Sequence, residues 1–471
     1  MEAAPLMVTL SGIRGIAGKS LTTPVVLKYI HSFAVLQCTR GAPLMIVGRD
    51  SRVSGPEISS TVIDILLSSG YNVINCGIVP TPTVQYMVQQ EHAVGGVIIT
   101  SSHNPGPWNG LKFVDSDGLF LSPERCEEMF SYADQHPTPV PTPIASPTKG
   151  TLTELPANAA SVRHIDAILA LPYIHPEAIR AQNLTVCLDT VCGAGGPSMT
   201  YLLNQLGVRV VELNTAPTGM FPHTPEPVPE NLGDLCRAVV EHGADLGIAV
   251  DPDVDRCVLI GEDGRPLVEE YTLAIAVKFM LGDIGRRGVV CKNLSSSRAS
   301  DDIAAQYGCT LVPAAVGEIN VAKRMVELNA VIGGEGNGGV MLPDIHIGRD
   351  APVAAALVLQ CFVNARMDKE HPIRTISELK RSLPQYEIVK LKVGIQGINV
   401  DEALKALEKE AKEEGLKINT IDGLHISGDD WWVHVRKSNT EPIARVIGEA
   451  PNAAAAEAHC RKYMDKLTSF K

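Results

Sequence analysis

The sequence predicts an α/β protein with three similar domains, whose mixed sheets are flanked by helices, and a smaller C-terminal α+β domain. Two observations predict this architecture: a strand–loop–helix–strand pattern that occurs three times, and a change of character near Gln385. A strand, a helix and a neighbouring strand form the βαβ unit of sheets covered by helices. The chain has 471 residues, and a soft prior of ~150 residues per domain gives about three domains before the tail is considered.

The three repeats share an apolar strand, a polar loop, a helix stopped by glycine and a second apolar strand. Each repeat then supplies one more apolar run that ends in an unusual polar loop. Because ligands gather beyond the carboxyl ends of such strands, three like units with different loops predict one composite site between domains. The repeats occupy residues 44–76, 184–213 and 288–313, and their polar loops are Ser101 to Pro105, Asp251 to Arg256 and Gly334 to Gly339.

A proline-rich segment and a charged tail mark the expected domain boundaries. Residues 136–150 contain five prolines, which excludes a helix or a central strand and favours a stiff connector. After Gln385, a charged helix (Val400 to Glu414) is followed by short strands and a last helix from Asn452. The expected domains are 1–150, 151–258, 259–372 and 385–471.

Composition and charge exclude several classes of protein. Hydrophobic residues make up 45% and charged residues 20% of the chain, which fits a globular protein rather than a disordered or fibrous one. The 41 Lys and Arg against 53 Asp and Glu give a formal net charge of −12. This balance argues against nucleic-acid and membrane partners, which need a broad basic surface, but it leaves room for one local anion site.

Cysteine usage and the lack of a targeting segment favour the cytoplasm. The eleven cysteines include no C-x-x-C pair, and the first residues lack the basic and apolar regions of a secretory signal. The longest uncharged apolar stretch, Ala351 to Ala365, is too short to span a bilayer. We therefore expect a cytoplasmic protein with reduced, mostly buried thiols.

Three alternating aspartates, Asp251, Asp253 and Asp255, follow an apolar run. Carboxylates this close repel one another, and a divalent cation that prefers hard oxygen ligands, such as Mg²⁺, relieves the repulsion. An EF-hand loop needs glycine where Arg256 stands. An aspartyl nucleophile of the haloacid-dehalogenase type needs Thr or Val where Asp255 stands. An acidic solvated turn stays the alternative to a metal site.

Two further loops carry polar groups without matching better-known motifs. Ser102 lies on a turn that does not fit G-x-S-x-G, so an esterase has little support, whereas a serine near a metal site can carry a phosphoryl group. The third loop satisfies G-x-G-x-x-G, but no helix is expected after it, which excludes a dinucleotide site. We interpret Glu335 and Asn337 in this loop as contacts for sugar hydroxyls.

Phosphate is the ligand expected for one segment near the C-terminus, and a second arginine lies on a loop near the N-terminus. The segment from Arg436 to Pro442 combines an arginine with two hydroxyls, an amide and turn N–H groups, which suit a phosphate cradle. A polar hairpin turn is the alternative there. Near the N-terminus, glycines flank Arg14 on a loop ahead of a helix that starts at Thr23-Pro24.

In order and spacing, five segments resemble those of the α-D-phosphohexomutase superfamily, whose members include phosphoglucomutase, phosphomannomutase and phosphoglucosamine mutase. The resemblance covers nearly the whole chain. It implies three similar α/β domains and a fourth domain like the TATA-box-binding protein around a central cleft. The segments are SGIRG around Arg14, TSSHNP around Ser102, DPDVDR from Asp251, GEGNGG around Glu335 and RKSNTEP from Arg436.

The resemblance also implies a reaction. A phosphoserine at Ser102 would donate its phosphoryl group to a hexose phosphate, giving a hexose 1,6-bisphosphate, and would then take back the other phosphoryl group. The same bisphosphate would act as activator. The implied metal ligands for Mg²⁺ are Ser102, Asp251, Asp253 and Asp255; the implied catalytic residues are Ser102, His103, Lys112 and Arg14; and the implied substrate-binding residues are Arg256, Glu335, Asn337, Arg436, Ser438, Asn439 and Thr440.

Two departures from the family pattern concern the proton-transfer group. Many members have histidine where Gly339 stands and near Glu318, so we expect Lys112 or His103 to move the proton. The GEGNGG and VGEIN segments resemble archaeal-type members and favour phosphoglucosamine mutase, with phosphoglucomutase or phosphomannomutase as the alternative.

Other expectations concern remoter functions and the assembly. The remoter functions are a metal-dependent sugar phosphatase with Asp251 as nucleophile and a non-catalytic sugar-phosphate binder. The expected partner is a small sugar phosphate, and the chain is expected to act as a monomer or homodimer.

Overall fold

Four sheets, each with its own helices, follow one another along the chain. The computed structural model describes residues 5–38, 43–140, 143–437 and 443–470. The first three sheets contain parallel and antiparallel strands with helices packed against them, and the fourth is antiparallel. The predicted fold class, three α/β domains and a C-terminal α+β domain, is therefore confirmed.

The first domain contains a seven-stranded sheet and four helices. Its strands are β1 (Met7–Thr9), β2 (Gly12–Ile16), β3 (Leu44–Arg49), β4 (Asn72–Ile78), β5 (Gly95–Ile99), β6 (Trp108–Asp115) and β7 (Leu152–Glu154), in the order β1-β2-β6-β5-β3-β4-β7. Its helices are α1 (Thr23–Gln37), α2 (Gly55–Ser68), α3 (Thr81–Gln90) and α4 (Pro123–Gln135).

The second and third domains each contain a four-stranded sheet. The second has α5 (Ala159–Leu169), α6 (Pro176–Arg180), β8 (Thr185–Asp189), α7 (Gly195–Gln205), β9 (Arg209–Leu213), α8 (Gly233–Glu241), β10 (Leu246–Val250) and β11 (Cys257–Gly261). The third has α9 (Glu270–Lys278), β12 (Val289–Asn293), α10 (Ala299–Gln306), β13 (Thr310–Ala314), α11 (Glu318–Leu328), β14 (Ile332–Glu335), β15 (Gly339–Met341), α12 (Ala351–Met367) and α13 (Ile376–Arg381).

One arrangement of four strands recurs in all three α/β domains. Three parallel strands are followed by one antiparallel strand in the orders β4-β3-β5-β6, β9-β8-β10-β11 and β13-β12-β14-β15. In each domain the chain reverses direction between the last parallel strand and its antiparallel neighbour. The three polar loops of the sequence repeats occupy this reversal, which places them at equivalent edges of their sheets.

The fourth domain is a five-stranded antiparallel sheet covered by two helices. Val400, Leu407 and Tyr463 of those helices are buried against strand residues such as Val433 and Val446. Its elements are β16 (Glu387–Gly394), α14 (Val400–Glu413), β17 (Lys417–Asn419), β18 (Leu424–Ser427), β19 (Trp432–Lys437), β20 (Ile443–Ala450) and α15 (Ala453–Thr468), with strand order β16-β20-β19-β18-β17.

Two strands lie across the boundaries expected from the sequence. β7 (152–154) pairs with β4 and so belongs to the first sheet, although residue 151 is the expected start of the second domain. β11 (257–261) pairs with β10 and continues the second sheet past residue 258. We infer that the boundaries fall after each of these strands. A change in composition can indicate a linker, but it does not show with which sheet a short strand next to the linker pairs.

A buried polar network joins the first three domains. Thr83 of α3 lies 3.1 Å from Nδ1 of His164 on α5. His164 Nε2 and His346 Nε2 both lie 2.9 Å from Oδ2 of Asp350, which caps α12 by accepting a hydrogen bond from the Val353 N–H. Helix α12 is almost wholly buried, as its apolar sequence predicts. None of the helices in the described ranges combines the length and apolar character needed to cross a membrane.

Candidate active site

A cavity of about 1150 Å³ lies between the four domains. Because the repeated loops occupy equivalent sheet edges, the fold turns all three toward this space. The fourth domain, at the C-terminal end of the chain, lines the remaining part of the cavity. The residues that line it include Arg14 and Ser102 of the first domain, Arg256 of the second, Glu335 of the third and Arg436 of the fourth.

Ser102 is held in a backbone conformation that L-residues rarely adopt. Its φ is +49°, in the left-handed region where a Cβ is unfavourable. The Ser102 N–H donates to Oγ1 of Thr100, 2.9 Å away, and that hydroxyl donates to Oδ2 of Asp50 at 2.7 Å. These buried hydrogen bonds fix the loop while Ser102 Oγ stays beside the cavity.

Arg52 anchors the same loop, and the sequence interpretation did not include it. Its side chain is almost fully buried, and its Nε donates to Asp50 Oδ2 at 3.0 Å. A weak signal was the polar run Asp50 to Arg52 directly after the buried strand β3, although the functional loops of the three repeats follow another strand, the last parallel one. The guanidinium also donates to the main-chain carbonyl oxygens of Ser102, Asn104, Pro105 and Trp108.

The three aspartates each keep one oxygen fixed by the protein. Asp251 Oδ1 accepts from the main-chain N–H groups of residues 255 and 256. Asp253 Oδ2 accepts from Lys112 at 2.6 Å and from Thr81 at 2.8 Å. Asp255 Oδ2 accepts from Arg349 at 2.6 Å. All three aspartates are fully buried, and such clusters form only where charge is balanced by partners.

The remaining oxygens fit a divalent cation. Asp253 Oδ1 and Asp255 Oδ1 are buried with no hydrogen-bond partner among the described residues. Asp251 Oδ2 lies 3.3 Å from Ser102 Oγ. The three carboxylates can each offer an oxygen within 4.8 Å of the others. Buried, unpartnered carboxylate oxygens are the hard ligands that Mg²⁺ prefers, so the donor set suits that ion.

The electrostatics of the triad agree with a cation site. Burial and the neighbouring charges of Asp255 and Asp253 raise the pKa of Asp251 well above its ordinary value. Burial opposes the charge of Asp255 too, but Arg349 and Lys112 hold its pKa below the ordinary value. Three carboxylates therefore share too little positive charge, and a divalent ion would supply the rest.

Arg14, His103 and Arg256 form the basic side of the cavity. Arg14 Nη1 donates to Oδ1 of Asn104 at 3.1 Å. Within the described ranges, Arg14 Nε and Arg256 Nε are buried without a hydrogen-bond partner. His103 Nδ1 lies 3.3 Å from Ser102 Oγ, and burial together with Arg256 and Arg14 lowers its pKa well below the ordinary value. This side offers two guanidinium groups and a neutral imidazole.

The third-domain loop forms a hairpin between β14 and β15. In this described part of the chain, no helix follows the G-x-G-x-x-G segment directly, as expected from the sequence. Glu335 Oε1 accepts from Asn293 at 2.7 Å and from the Gly317 N–H at 3.0 Å. Its Oε2 accepts from Arg349 at 2.8 Å. Asn337 lines the cavity beside it. The carboxylate expected to meet sugar hydroxyls is thus also tied to the protein.

The fourth domain contributes Arg436 at the end of β19. Its Nε lies 3.2 Å from Oδ2 of Asp422, and the same oxygen accepts from the Val316 N–H of the third domain at 3.0 Å. Ser438, Asn439 and Thr440, the other expected phosphate ligands, lie outside the described residues. The sequence interpretation missed further cavity-lining cations of this domain, because they alternate along strands with no loop motif: Lys390, Lys392 and Arg445.

Glu270 is a buried carboxyl beside the third-domain loop. Its Oε2 accepts from the Ser297 N–H at 2.8 Å and lies against Gly336, where a Cβ would be 1.7 Å from it. Burial raises its pKa to about 8, although Lys390 opposes the shift. In the unfolded chain the pKa returns to about 4.5. Between these two values the native state holds a proton that the unfolded chain has released, so stability falls as pH rises.

We expect Glu270→Gln to flatten this pH dependence. The free energy of unfolding of the variant should rise relative to the wild type by up to about 1.4 kcal/mol per pH unit within that window. Urea unfolding of both proteins at pH 5, 6, 7 and 8 measures the difference. Glu127→Gln, on an exposed helix position, is the control and should follow the wild type. Parallel curves for Glu270→Gln and wild type would contradict the prediction.

Comparison with known families covers each of the four domains. The phosphoglucomutase/phosphomannomutase models for alpha/beta/alpha domains I, II and III match residues 7–137, 162–264 and 269–386. The model for the C-terminal domain of the same family matches residues 389–466. Together these matches span most of the chain in the order that the fold shows.

Similar proteins agree with the family matches. A phosphoglucomutase/phosphomannomutase of Thermococcus kodakarensis is 37% identical over 96% of both chains. A probable phosphoglucosamine mutase of Methanopyrus kandleri is 33% identical, covering 97% of this chain and 96% of the relative. A phosphoglucomutase/phosphomannomutase family structure from Burkholderia thailandensis covers 98% of each chain with a TM-score of 0.83 at 24% identity, which concerns the fold.

Sequence, fold and the assembled loops thus lead to one family. The relatives are named for different sugars, but the reaction type in their names is the same. The chain belongs to the phosphoglucomutase/phosphomannomutase family of the α-D-phosphohexomutase superfamily and is a phosphohexomutase.

Proposed function

We propose that this phosphohexomutase interconverts hexose 6-phosphate and hexose 1-phosphate through a phosphoserine at Ser102 and a 1,6-bisphosphate. The observation that carries the proposal is the position of Ser102 Oγ, 3.3 Å from Asp251 Oδ2 and 3.3 Å from His103 Nδ1. A serine between a carboxylate triad and a neutral imidazole can both hold a phosphoryl group and exchange its proton.

In the forward half-reaction, the bond between Ser102 Oγ and phosphorus breaks while a sugar hydroxyl oxygen bonds to phosphorus. The proton released by that hydroxyl ends on Ser102 Oγ. His103 Nδ1 is the group placed to hold and pass this proton, because its lowered pKa leaves it neutral. In the second half-reaction the other phosphate of the bisphosphate returns to Ser102, and the proton moves in the opposite direction.

Lys112 takes a different role in this proposal. Its Nζ lies 2.6 Å from Asp253 Oδ2 and 3.4 Å from Asp255 Oδ2. Burial disfavours its charge, but the two aspartates raise its pKa above the ordinary value. A permanently charged ammonium stabilises negative charge and does not accept a proton. We therefore assign it to orienting the carboxylates and favour His103 for proton transfer.

Asp251, Asp253, Asp255 and Ser102 are the residues that would hold Mg²⁺. Bound there, the ion would neutralise charge on the transferring phosphoryl group. Arg14 and Arg256, with Nε atoms that lack hydrogen-bond partners among the described residues, would bind the same group. Arg436 with Ser438, Asn439 and Thr440 would hold the phosphate that does not react. A hexose 1,6-bisphosphate would act as activator by phosphorylating Ser102.

Glucosamine phosphate is the sugar that we propose as preferred substrate. Four glutamates near the third-domain loop offer oxygens that an amino group could donate to, although Glu270 holds a proton near neutral pH and Arg349 already binds two of the others. Several relatives at 31–34% identity, among them one from Methanococcoides burtonii, are named probable phosphoglucosamine mutases. The glutamates are Glu269, Glu270, Glu318 and Glu335. Glucose and mannose phosphates are the second candidate, favoured by the name of the 37%-identical relative.

We expect kcat/KM to be highest with glucosamine 6-phosphate, by about tenfold or more over glucose and mannose 6-phosphates, since one well-placed polar contact is worth ~1–3 kcal/mol. Each sugar is assayed with a trace of its own 1,6-bisphosphate in the presence of Mg²⁺. A higher kcat/KM with glucose or mannose 6-phosphate would contradict the preference for glucosamine phosphate and support the second candidate. Steady release of inorganic phosphate without isomer formation would instead indicate a phosphatase.

A further inference from the structure

The Arg349 guanidinium joins carboxylates of two different domains. Its Nη2 donates to Asp255 Oδ2 at 2.6 Å, its Nη1 to Glu335 Oε2 at 2.8 Å and its Nε to Glu318 Oε2 at 3.1 Å. The main-chain N–H of Arg349 also donates to Glu318 Oε1 at 3.1 Å. All four side chains are buried. Every nitrogen of the guanidinium is therefore committed to a carboxylate, in the fixed fork geometry that a lysine does not have.

Gly339 leaves the space through which Arg349 reaches these partners. A Cβ on Gly339 would lie 2.3 Å from Arg349 Cδ and 2.7 Å from Cγ. Gly339 has no positive φ, so its backbone accepts a side chain. The nearest obstacle to a larger residue at this position is thus the stem of Arg349, followed by Asn337 Oδ1 at 3.1 Å. The two positions are sterically coupled.

We propose that Arg349 is a positioning residue. It fixes the aspartate loop of the second domain (Asp251 to Arg256) against the sugar loop of the third (Gly334 to Gly339), and Gly339 leaves the space that its side chain needs. By holding Asp255 Oδ2, it leaves Asp255 Oδ1 as the oxygen without a partner. By holding Glu335 Oε2, it sets where the sugar loop lies relative to the aspartates. A sugar hydroxyl bound near Glu335 then stays in line with a phosphoryl group held at the triad.

The inference deepens the proposed function and rests on it for the sugar contact, but the geometry at Asp255 can be tested without turnover. Arg349→Lys keeps the charge and replaces five donors on a rigid fork with one ammonium group. In that variant we expect the dissociation constant of Mn²⁺, measured by electron paramagnetic resonance on unphosphorylated protein, to rise at least about tenfold. Loss of loop alignment should lower kcat by about 10²-fold.

Gly339→Ala tests the same idea without changing any charge. The added methyl group must displace Arg349, so the variant should weaken Mn²⁺ binding and lower kcat in the same direction. A lysine at 349 has fewer contacts and can move its stem aside. In the Arg349→Lys background, Gly339→Ala should therefore add less than about a twofold effect. Gly394→Ala is the control, since Gly394 is exposed and a Cβ there would meet nothing within 4 Å.

Three outcomes overturn the proposal. They are wild-type Mn²⁺ affinity in Arg349→Lys, wild-type affinity and kcat in Gly339→Ala, and effects of the two substitutions that multiply in the double variant. If Arg349→Lys fails to fold, as thermal unfolding reveals, Gly339→Ala alone decides. A wild-type protein that binds Mn²⁺ but does not isomerise hexose phosphates would contradict the proposed function, and the Mn²⁺ readout on the variants would still test Arg349.

Discussion

Ser102→Ala is expected to abolish the interconversion of hexose 1- and 6-phosphates, with a loss of kcat of at least about 10⁴-fold. Alanine has no oxygen that can carry the phosphoryl group between the two ends of the sugar. Ser102 lines the cavity, and its Oγ lies 3.3 Å from Asp251 Oδ2. A coupled assay of isomer formation, run with Mg²⁺ and a trace of bisphosphate, measures the loss.

Intact mass spectrometry provides the second readout for this prediction. After incubation with a hexose 1,6-bisphosphate, the wild-type protein should gain the mass of one phosphoryl group, mapped by peptide analysis to Ser102. Ser101→Ala is the matched control: Ser101 is equally buried, but its Oγ donates to Asn104 Oδ1 at 3.2 Å. That variant should keep its phosphorylation and its turnover. Full activity of Ser102→Ala, or phosphorylation at another residue, would refute the mechanism.

The loops that form the site could be predicted because they share one place in a repeated unit. Ser102 and Asp253 follow the last parallel strand of their α/β domains and Glu335 ends it, and a linear pattern of apolar runs finds such positions. The number of domains and the strand–helix order follow from the same patterns, since they depend on local sequence. The sheet to which a short edge strand such as β7 belongs cannot be predicted in this way, because it depends on pairing with a strand far away in the sequence.

The residues that the sequence interpretation missed act across long separations. Arg52 contacts carbonyls about fifty positions away, and Arg349 contacts Asp255 over 94 positions. Neither lies in a loop with an unusual composition, and an arginine near a strand end is most often a surface residue. Their roles emerge only when the fold buries them against carboxylates and carbonyl oxygens. The sequence predicts a contact between Glu335 and a sugar, but it does not predict the protein donors that already bind this carboxylate.

Arg52→Leu is expected to cost about 3–5 kcal/mol of folding free energy, because removing one partner of a buried ion pair leaves the other charge unpaired. Asp50 is fully buried, and burial already raises its pKa above the ordinary value despite the charge of Arg52. Urea unfolding measures the loss. Arg163→Leu is the control, since Arg163 pairs with Glu91 on the surface, where an ion pair contributes about 0–1 kcal/mol.

Removing both charges separates the ion pair from the anchoring of the loop. In Asp50→Asn/Arg52→Leu no buried charge is left alone, so the double variant should be more stable than Arg52→Leu. Its turnover should stay low, because the carbonyls of Ser102 and Asn104 still lack the guanidinium that fixes the loop. Equal stability of the single and double variants would contradict the charge argument. Wild-type turnover in the double variant would show that Ser102 keeps its strained conformation without Arg52.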